Sequence, residues 1–254
     1  MLRAIIPPIA AVLTFIAGIF ILNVQLWYSA KIDNIAGATH AVKNINQILD
    51  EAKAASKTGM AIAASGCTVE GQYQLGITAV LSPHLRTILI LKEGKAWCTS
   101  LPGNRLLLTN LASLPDTQLT LVRAKDNVHQ HPALVYRADS SDGIILVTIS
   151  DSHIHDALNS TGKNEQLRMI VGQLSLGQDG DVREVGSQNN REDIIEAKIY
   201  PFSVQYASPA FFSLKRIFRQ GAGVLIFILL ISGMSPQVHS RSAASSFFRI
   251  HTII

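Results

Sequence analysis

The most reactive side chains in this 254-residue chain are its two cysteines. Cys67 stands in AASGCTVEGQ, and Cys98 follows 31 positions later in EGKAWCTSLPGNR. In an oxidising compartment, two cysteines are the smallest set that can make a disulfide. In a reducing one they are two buried, unpaired thiols. On the chain-entropy account, a bridge closing a loop of this length stabilises a fold by about 3–4 kcal/mol. That is a large share of a net stability of about 5–15 kcal/mol, so losing the bridge would shift a domain between ordered and labile states. The choice between the readings turns on which side of a membrane the segment lies.

Other chemistry-bearing clusters are weaker. SDSHIHDAL, residues 150–158, gathers Asp151, His153, His155 and Asp156. Two histidines separated by one residue project to different faces of a helix, because same-face neighbours are three or four apart. Ser or Asp before a short helix is ordinary capping. We therefore assign no metal centre there, nor to HQHP at 129–132. LGQDGDVRE, residues 176–184, has the Asp and Gly content of a calcium loop. It lacks the loop's spacing and closing Glu, and it reads as a turn between strands. Asn159-Ser160-Thr161 has the acceptor pattern for N-glycosylation but is too short to inform. No phosphate-cradling glycine loop, Gly-x-Ser-x-Gly elbow or His-Glu-x-x-His pattern occurs. No catalytic residue, metal ligand or cofactor is expected in this chain.

The elements that carry these residues begin with an uncharged run, IIPPIAAVLTFIAGIFILNVQLW, residues 5–27. A helix rising about 1.5 Å per residue crosses about 30 Å of hydrocarbon with about 20 residues. Trp27 and Tyr28 close the run, where amphipathic rings favour the interface. Pro7 and Pro8 sit in its first turns, where missing N–H groups cost least. The run is too long for a signal peptide and lacks a clear cleavage site, so a retained transmembrane helix is expected. A second run, 217–234, has an apolar stretch shorter than a usual span; Arg219 can snorkel and Pro236 ends it. It reads as an incomplete transmembrane helix, with a buried core element as the alternative. The net charge of +4 is scattered, so no nucleic-acid partner is expected. Lys215, Arg216 and Arg219 argue against an external middle segment, but long loops translocate largely regardless of charge.

Residues 28–58 carry an apolar stripe of Ile32, Ile35, Ala36, Val42, Ile45, Ile48, Leu49 and Ala52, with Thr39 filling one step. Steps of three and four predict one long helix that leaves the membrane and enters the domain. The stripe faces a core or, in a homodimer or heterodimer, a second helix. A helix over 68–81 ends at Ser82-Pro83. The period then changes to a hairpin, Leu85–Leu91 and Lys95–Ser100 around Glu93-Gly94, followed by a Pro102-Gly103-Asn104 turn. Further strands are expected at Gln118–Arg123, Ala133–Arg137, Ile144–Ile149, Leu167–Leu176 and Ile194–Tyr206, with a short helix at Ser152–Leu158. This order predicts an α+β fold, a long N-terminal helix plus an antiparallel-sheet domain of PAS-like or Cache-like layout. Layout alone says nothing about a ligand.

AWCTSLPG, with its flanks PHLRTILILKEGKAWCTSLPGNRLLL and ILVTISDSHI, resembles the CSS-motif sensor domain of bacterial EAL-type cyclic di-GMP phosphodiesterases. The likeness runs over roughly residues 1–232. Cys67 matches the family's upstream cysteine, and Cys98-Thr99-Ser100 matches its Cys-Ser-Ser tripeptide, with Thr99 keeping the hydroxyl of the first serine. The resemblance implies an inner-membrane protein with a cytoplasmic start (1–4), a transmembrane helix (5–27), a periplasmic sensor (28–216) and a second helix (217–234). It implies a Cys67–Cys98 disulfide made by the periplasmic thiol-oxidising machinery. The redox state of that bond would control proteolysis by periplasmic proteases and the activity of an attached phosphodiesterase. That unit would convert cyclic di-GMP to pGpG with Mg²⁺ or Mn²⁺. No Glu-Ala-Leu string occurs, and the tail 235–254, SPQVHSRSAASSFFRIHTII, is aperiodic. The expectation is a reading frame interrupted near Ser232–Met234 and a chain inactive alone. The alternatives are a Cache-like small-molecule sensor, marked by a polar pocket away from the cysteines, a fragment that modulates an intact phosphodiesterase, and a remnant without function.

Overall fold

The structure is a computed structural model that describes residues 2–101, 114–123, 131–160, 167–186, 192–211, 222, 223 and 226. The expected Pro102-Gly103-Asn104 turn, His129, Thr161, the tail 235–254 and most of the second apolar run lie outside the described residues. The contacts divide into two units, Met1–Asp33 with Pro209–Ile254, and Asn34–Ser208.

Helix α1 runs over Leu2–Ser65. Past Pro7 and Pro8 nothing breaks it until Gly66, whose φ of +89° suits a residue without Cβ. Within the first unit, Val12, Leu13, Ile16, Phe20 and Ile21 of α1 are exposed. Among the described residues, α1 is the one helix long and apolar enough to cross a membrane. Trp27 Nε1 donates to the Pro209 carbonyl at 3.0 Å. The rings of Phe20 and Trp27 lie 6.4 and 5.8 Å from that of Phe211.

The second unit is α+β. Its elements after α1 are α2 (Val69–Leu81), β1 (Leu85–Lys92), β2 (Lys95–Thr99), β3 (Leu119–Val122), β4 (Ala133–Ser140), β5 (Gly143–Ser150), α3 (Asp151–Asn159), β6 (Arg168–Val171), β7 (Leu174–Gly177), β8 (Val182–Glu184), β9 (Glu192–Glu196) and β10 (Ser203–Ala207). They form two five-stranded sheets rather than one, in the orders β2-β1-β5-β4-β3 and β8-β7-β6-β10-β9. All pairings are antiparallel. Two single strands expected from sequence are each two strands. Gly172-Gln173 folds Leu167–Leu176 into a hairpin, with Gly172 at φ +59°. A bend through Pro201, which has no N–H to give a ladder, divides Ile194–Tyr206.

The first sheet explains the apolar run in β1. Ile88 and Ile90 face a large core with α1, while Leu89 and Leu91 face a smaller cluster with Val122, Val135 and Leu146. The strand is covered on both sides. The α1 stripe holds at Ile45, Ile48, Leu49 and Ala52, but nearer its start Ala38 and Ala41 take the buried face. Ile32, Ile35, Ala36 and Thr39 are exposed. Thr39 Oγ1 instead donates to the Ile35 carbonyl at 2.7 Å. Small side chains bring the helix close to the sheet. At Gly59, an added Cβ would stand 2.9 Å from Ile145 Cγ2 of β5. The second sheet adds Met169, Val171, Leu176, Val204 and Tyr206 to the same core.

Candidate functional site

The β1–β2 hairpin turns through Glu93 at φ +53° and Gly94 at φ +73°. Two consecutive positive φ values match the right-handed strand twist and make a tight turn. The register then shifts between Ile90 and Leu91: Ile90 pairs with Cys98, whereas Leu91 pairs with Ala96. Trp97 is the extra residue of this bulge, and the Lys92 ammonium stands 5.0 Å from its ring centroid. The bulge directs Cys98 inward, to 2% exposure.

Cys67 lies in the short link between α1 and α2. Thr68, next to it, caps α2 by accepting the Gly71 N–H at 3.1 Å. The capped link holds Cys67 against β2, and a disulfide joins Cys67 to Cys98 with their Cα atoms 5.8 Å apart. Gln72 Nε2 donates to Cys67 Sγ at 3.5 Å.

The rest of the tripeptide fastens the same strand. Ser100 is buried. Its backbone N–H donates to the Ile88 carbonyl at 2.9 Å, and its Oγ accepts the Ile88 N–H at 3.0 Å. Thr99 pairs with Leu89, and its Oγ1 accepts the Leu101 N–H at 3.3 Å. Cysteine supplies the covalent tie, serine the hydrogen-bonded one, and threonine turns the chain out of β2. Sequence reading singled out the tripeptide but not Ile88 as its partner, because that pairing depends on the hairpin register.

The other clusters are apart from this one. His153 and His155 of α3 face different ways. His153 meets His84, with ring centroids 5.1 Å apart, whereas His155 meets Asn159 at 2.9 Å. Ser150 takes the cap position of α3 without a side-chain cap bond; its Oγ donates to Asp151 at 3.3 Å instead. Asp179 and Asp181 of the turn after β7 are held by Arg183 at 2.9 and 2.8 Å. The hydrogen bond from Arg183 keeps the Asp181 carboxyl below the usual carboxylate range. Among the described residues, no group of three or more His, Cys, Asp or Glu side chains is placed to hold a metal ion. The divalent metal of the phosphodiesterase reaction therefore has no fit in these residues, and no hydrolytic step is assigned to them.

Residues 35–221 match the family described as the CSS motif domain associated with EAL. The chain is 46% identical over 232 residues to a probable cyclic di-GMP phosphodiesterase, PdeG, of Escherichia coli strain K12. The match covers 91% of this chain and 46% of that relative, so the chain spans about half the relative's length.

Proposed function

The chain belongs to the family of CSS-motif domains associated with EAL, and from that premise we propose that it is a redox-responsive sensor controlling an EAL-type cyclic di-GMP phosphodiesterase unit. In this reading α1 anchors the chain in the bacterial inner membrane and residues 28–216 face the periplasm. The observation that carries the proposal is the Cys67–Cys98 bridge, set between the start of α2 and an inward-facing strand.

The response in this reading is thiol–disulfide exchange. A dithiol reductant breaks the S–S bond by exchange, gives up two electrons and becomes a disulfide, while both sulfurs return as thiols. Without the bridge, the link before α2 is no longer covalently tied to β2. The lost constraint, about 3–4 kcal/mol, raises the open population by a few hundredfold, at about 1.4 kcal/mol per tenfold. An open sensor is a better protease substrate and transmits a different state through α1 to the phosphodiesterase unit, which converts cyclic di-GMP to pGpG in the intact system.

Differential thiol labelling in whole cells tests this. Cys67 and Cys98 should be blocked in cells with an intact periplasmic oxidising pathway, and free in cells without it or after reductant. Cyclic di-GMP should change between the two states in cells that contain the phosphodiesterase unit. Free thiols in the oxidising cells, or a cyclic di-GMP level indifferent to both cysteines, would overturn the proposal.

Small-molecule sensing is a second reading with one observation behind it. A cavity of about 380 Å³, whose lining includes neither cysteine, is lined by Arg168, Gln178, Asp179, Arg183, Gln205 and Tyr206 among others. Convergent polar groups in a concave site are what recognition of a small polar molecule requires. Arg168→Ala would abolish a ligand response while leaving the redox response in place.

A further inference from the structure

The two sulfurs of the Cys67–Cys98 bridge stand in different surroundings. Cys98 is 2% exposed and belongs to the buried core with Leu75, Ile88 and Ile90. Cys67 is half-buried, in the link 66–68 between α1 and α2. Gln72, an exposed residue of α2, reaches its sulfur: Nε2 donates to Sγ at 3.5 Å. The Cys67 sulfur is therefore met from the solvent side, and the Cys98 sulfur from the core side.

The course of thiol–disulfide exchange depends on which sulfur is attacked and on access to it. The incoming thiolate arrives along the line of the S–S bond, from the side opposite the sulfur that leaves. Past Cys67, away from Cys98, that line leads out of the core. Past Cys98 it leads into the core, where a charged nucleophile would lose its hydration. The two cysteines also differ in what holds them once the bond opens. Cys98 stays in register, paired with Ile90 and followed by Ser100, which is fastened to Ile88. Cys67 sits in the link, outside helix and strand.

We infer that exchange enters the bridge at Cys67 and is resolved by Cys98, an assignment that rests on the redox reading above. In reduction, one thiolate of a dithiol bonds to Cys67 Sγ, and the S–S electron pair leaves with Cys98 Sγ, which takes a proton from water. The second thiol of the reductant then attacks the first, releasing Cys67 as a thiolate and the reductant as a disulfide, with two electrons passed to the chain. Formation runs in reverse. The Cys67 thiolate attacks the disulfide of an oxidised carrier, and Cys98, held in β2, attacks Cys67 Sγ and releases the carrier as a dithiol. The partner is thus a dithiol–disulfide carrier that meets the chain at the link before α2.

Sulfite breaks a disulfide by the same displacement and leaves a mark: an S-sulfonate on the attacked sulfur and a thiolate on the other. The oxidised full chain in detergent is treated with sulfite to low conversion, quenched in acid, alkylated and mapped by peptide mass spectrometry. S-sulfonate is expected on Cys67 at least about tenfold more often than on Cys98, with the alkyl group on Cys98. In urea, where both sulfurs are open to solvent, the ratio should fall to within about twofold of one. S-sulfonate mainly on Cys98, an equal split in the folded chain, no reaction of the folded chain, or an unchanged ratio in urea would overturn the entry route. None of these outcomes bears on whether the bridge controls cyclic di-GMP, so the redox reading would survive them. A chain that keeps both thiols free after oxidation would overturn both.

Discussion

Ser100 holds Ile88 from both sides: its N–H donates to the Ile88 carbonyl at 2.9 Å, and its Oγ accepts the Ile88 N–H at 3.0 Å. Ile88 is fully buried, so its N–H has no water to turn to if the hydroxyl goes. The serine that closes the family tripeptide therefore finishes the ladder of a central strand. Cys98, two residues earlier, makes the covalent tie.

Ser100→Ala should cost about 1–3 kcal/mol, the range for leaving a buried donor unsatisfied. Thr99→Ser should cost less than about 0.5 kcal/mol, because it keeps the hydroxyl at a partly exposed position. Urea unfolding of the two variants checks both values. Equal effects would mean that the hydroxyl at 100 has no special part.

Removing the bridge by Cys67→Ala with Cys98→Ala should lower stability by about 3–4 kcal/mol, and reductant should then have no further effect on the unfolding midpoint. The bridge and Ser100 fasten the same strand, so their losses should not add. A double-mutant cycle with Ser100→Ala should give a coupling of about 0.5–3 kcal/mol. Strict additivity would separate the two devices.

Gly59 marks a close approach of α1 to the first sheet, since a Cβ there would stand 2.9 Å from Ile145 Cγ2. Gly59→Ala gains about 0.5–1 kcal/mol of helix preference but must displace Ile145, and overpacking a core costs about 1–3 kcal/mol. The steric cost outweighs the gain in helix preference, so a net loss of about 1 kcal/mol is expected in thermal or urea unfolding. Ile145→Val should restore part of it in the double variant.

Several of these relationships were legible in the sequence, and the others share a physical reason for being hidden. Glu93-Gly94 between apolar runs gave the hairpin, and steps of three and four gave the later part of α1, because both signals are local. The division into two sheets was not legible, since it depends on which strands pair across long stretches of chain. The turn at Gly172-Gln173 and the bend at Pro201 were visible as residue types but were overridden by the apolar runs on either side. The buried face near the start of α1 was misread because Ala38 and Ala41 pack closely while larger residues beside them stay out. Cys67 and Cys98 stood out through rarity. His153 was noted only within SDSHIHDAL, and its meeting with His84 was hidden, because distant elements bring the two rings together.

Tyr200 gives a signature at alkaline pH. Its hydroxyl donates to Asp50 Oδ1 at 2.6 Å, and its ring meets that of Tyr136 at 6.2 Å. Burial, followed by the bond to Asp50, pushes its ionisation well above the usual tyrosine value. The unfolded chain releases this proton near pH 10, whereas the folded chain retains it. The folded state then binds more protons, so stability is fully present below about pH 10 and falls as pH rises beyond it. Tyr206, also raised by burial and by Asp193, adds to the slope in the same direction. Tyr200→Phe should cost about 0.5–1.5 kcal/mol at neutral pH through the lost hydrogen bond. It should also flatten the decline between about pH 10 and 11, leaving the part due to Tyr206. Urea midpoints measured for both proteins across that range check the prediction; parallel curves would mean that Tyr200 ionises alike in the folded and unfolded chains.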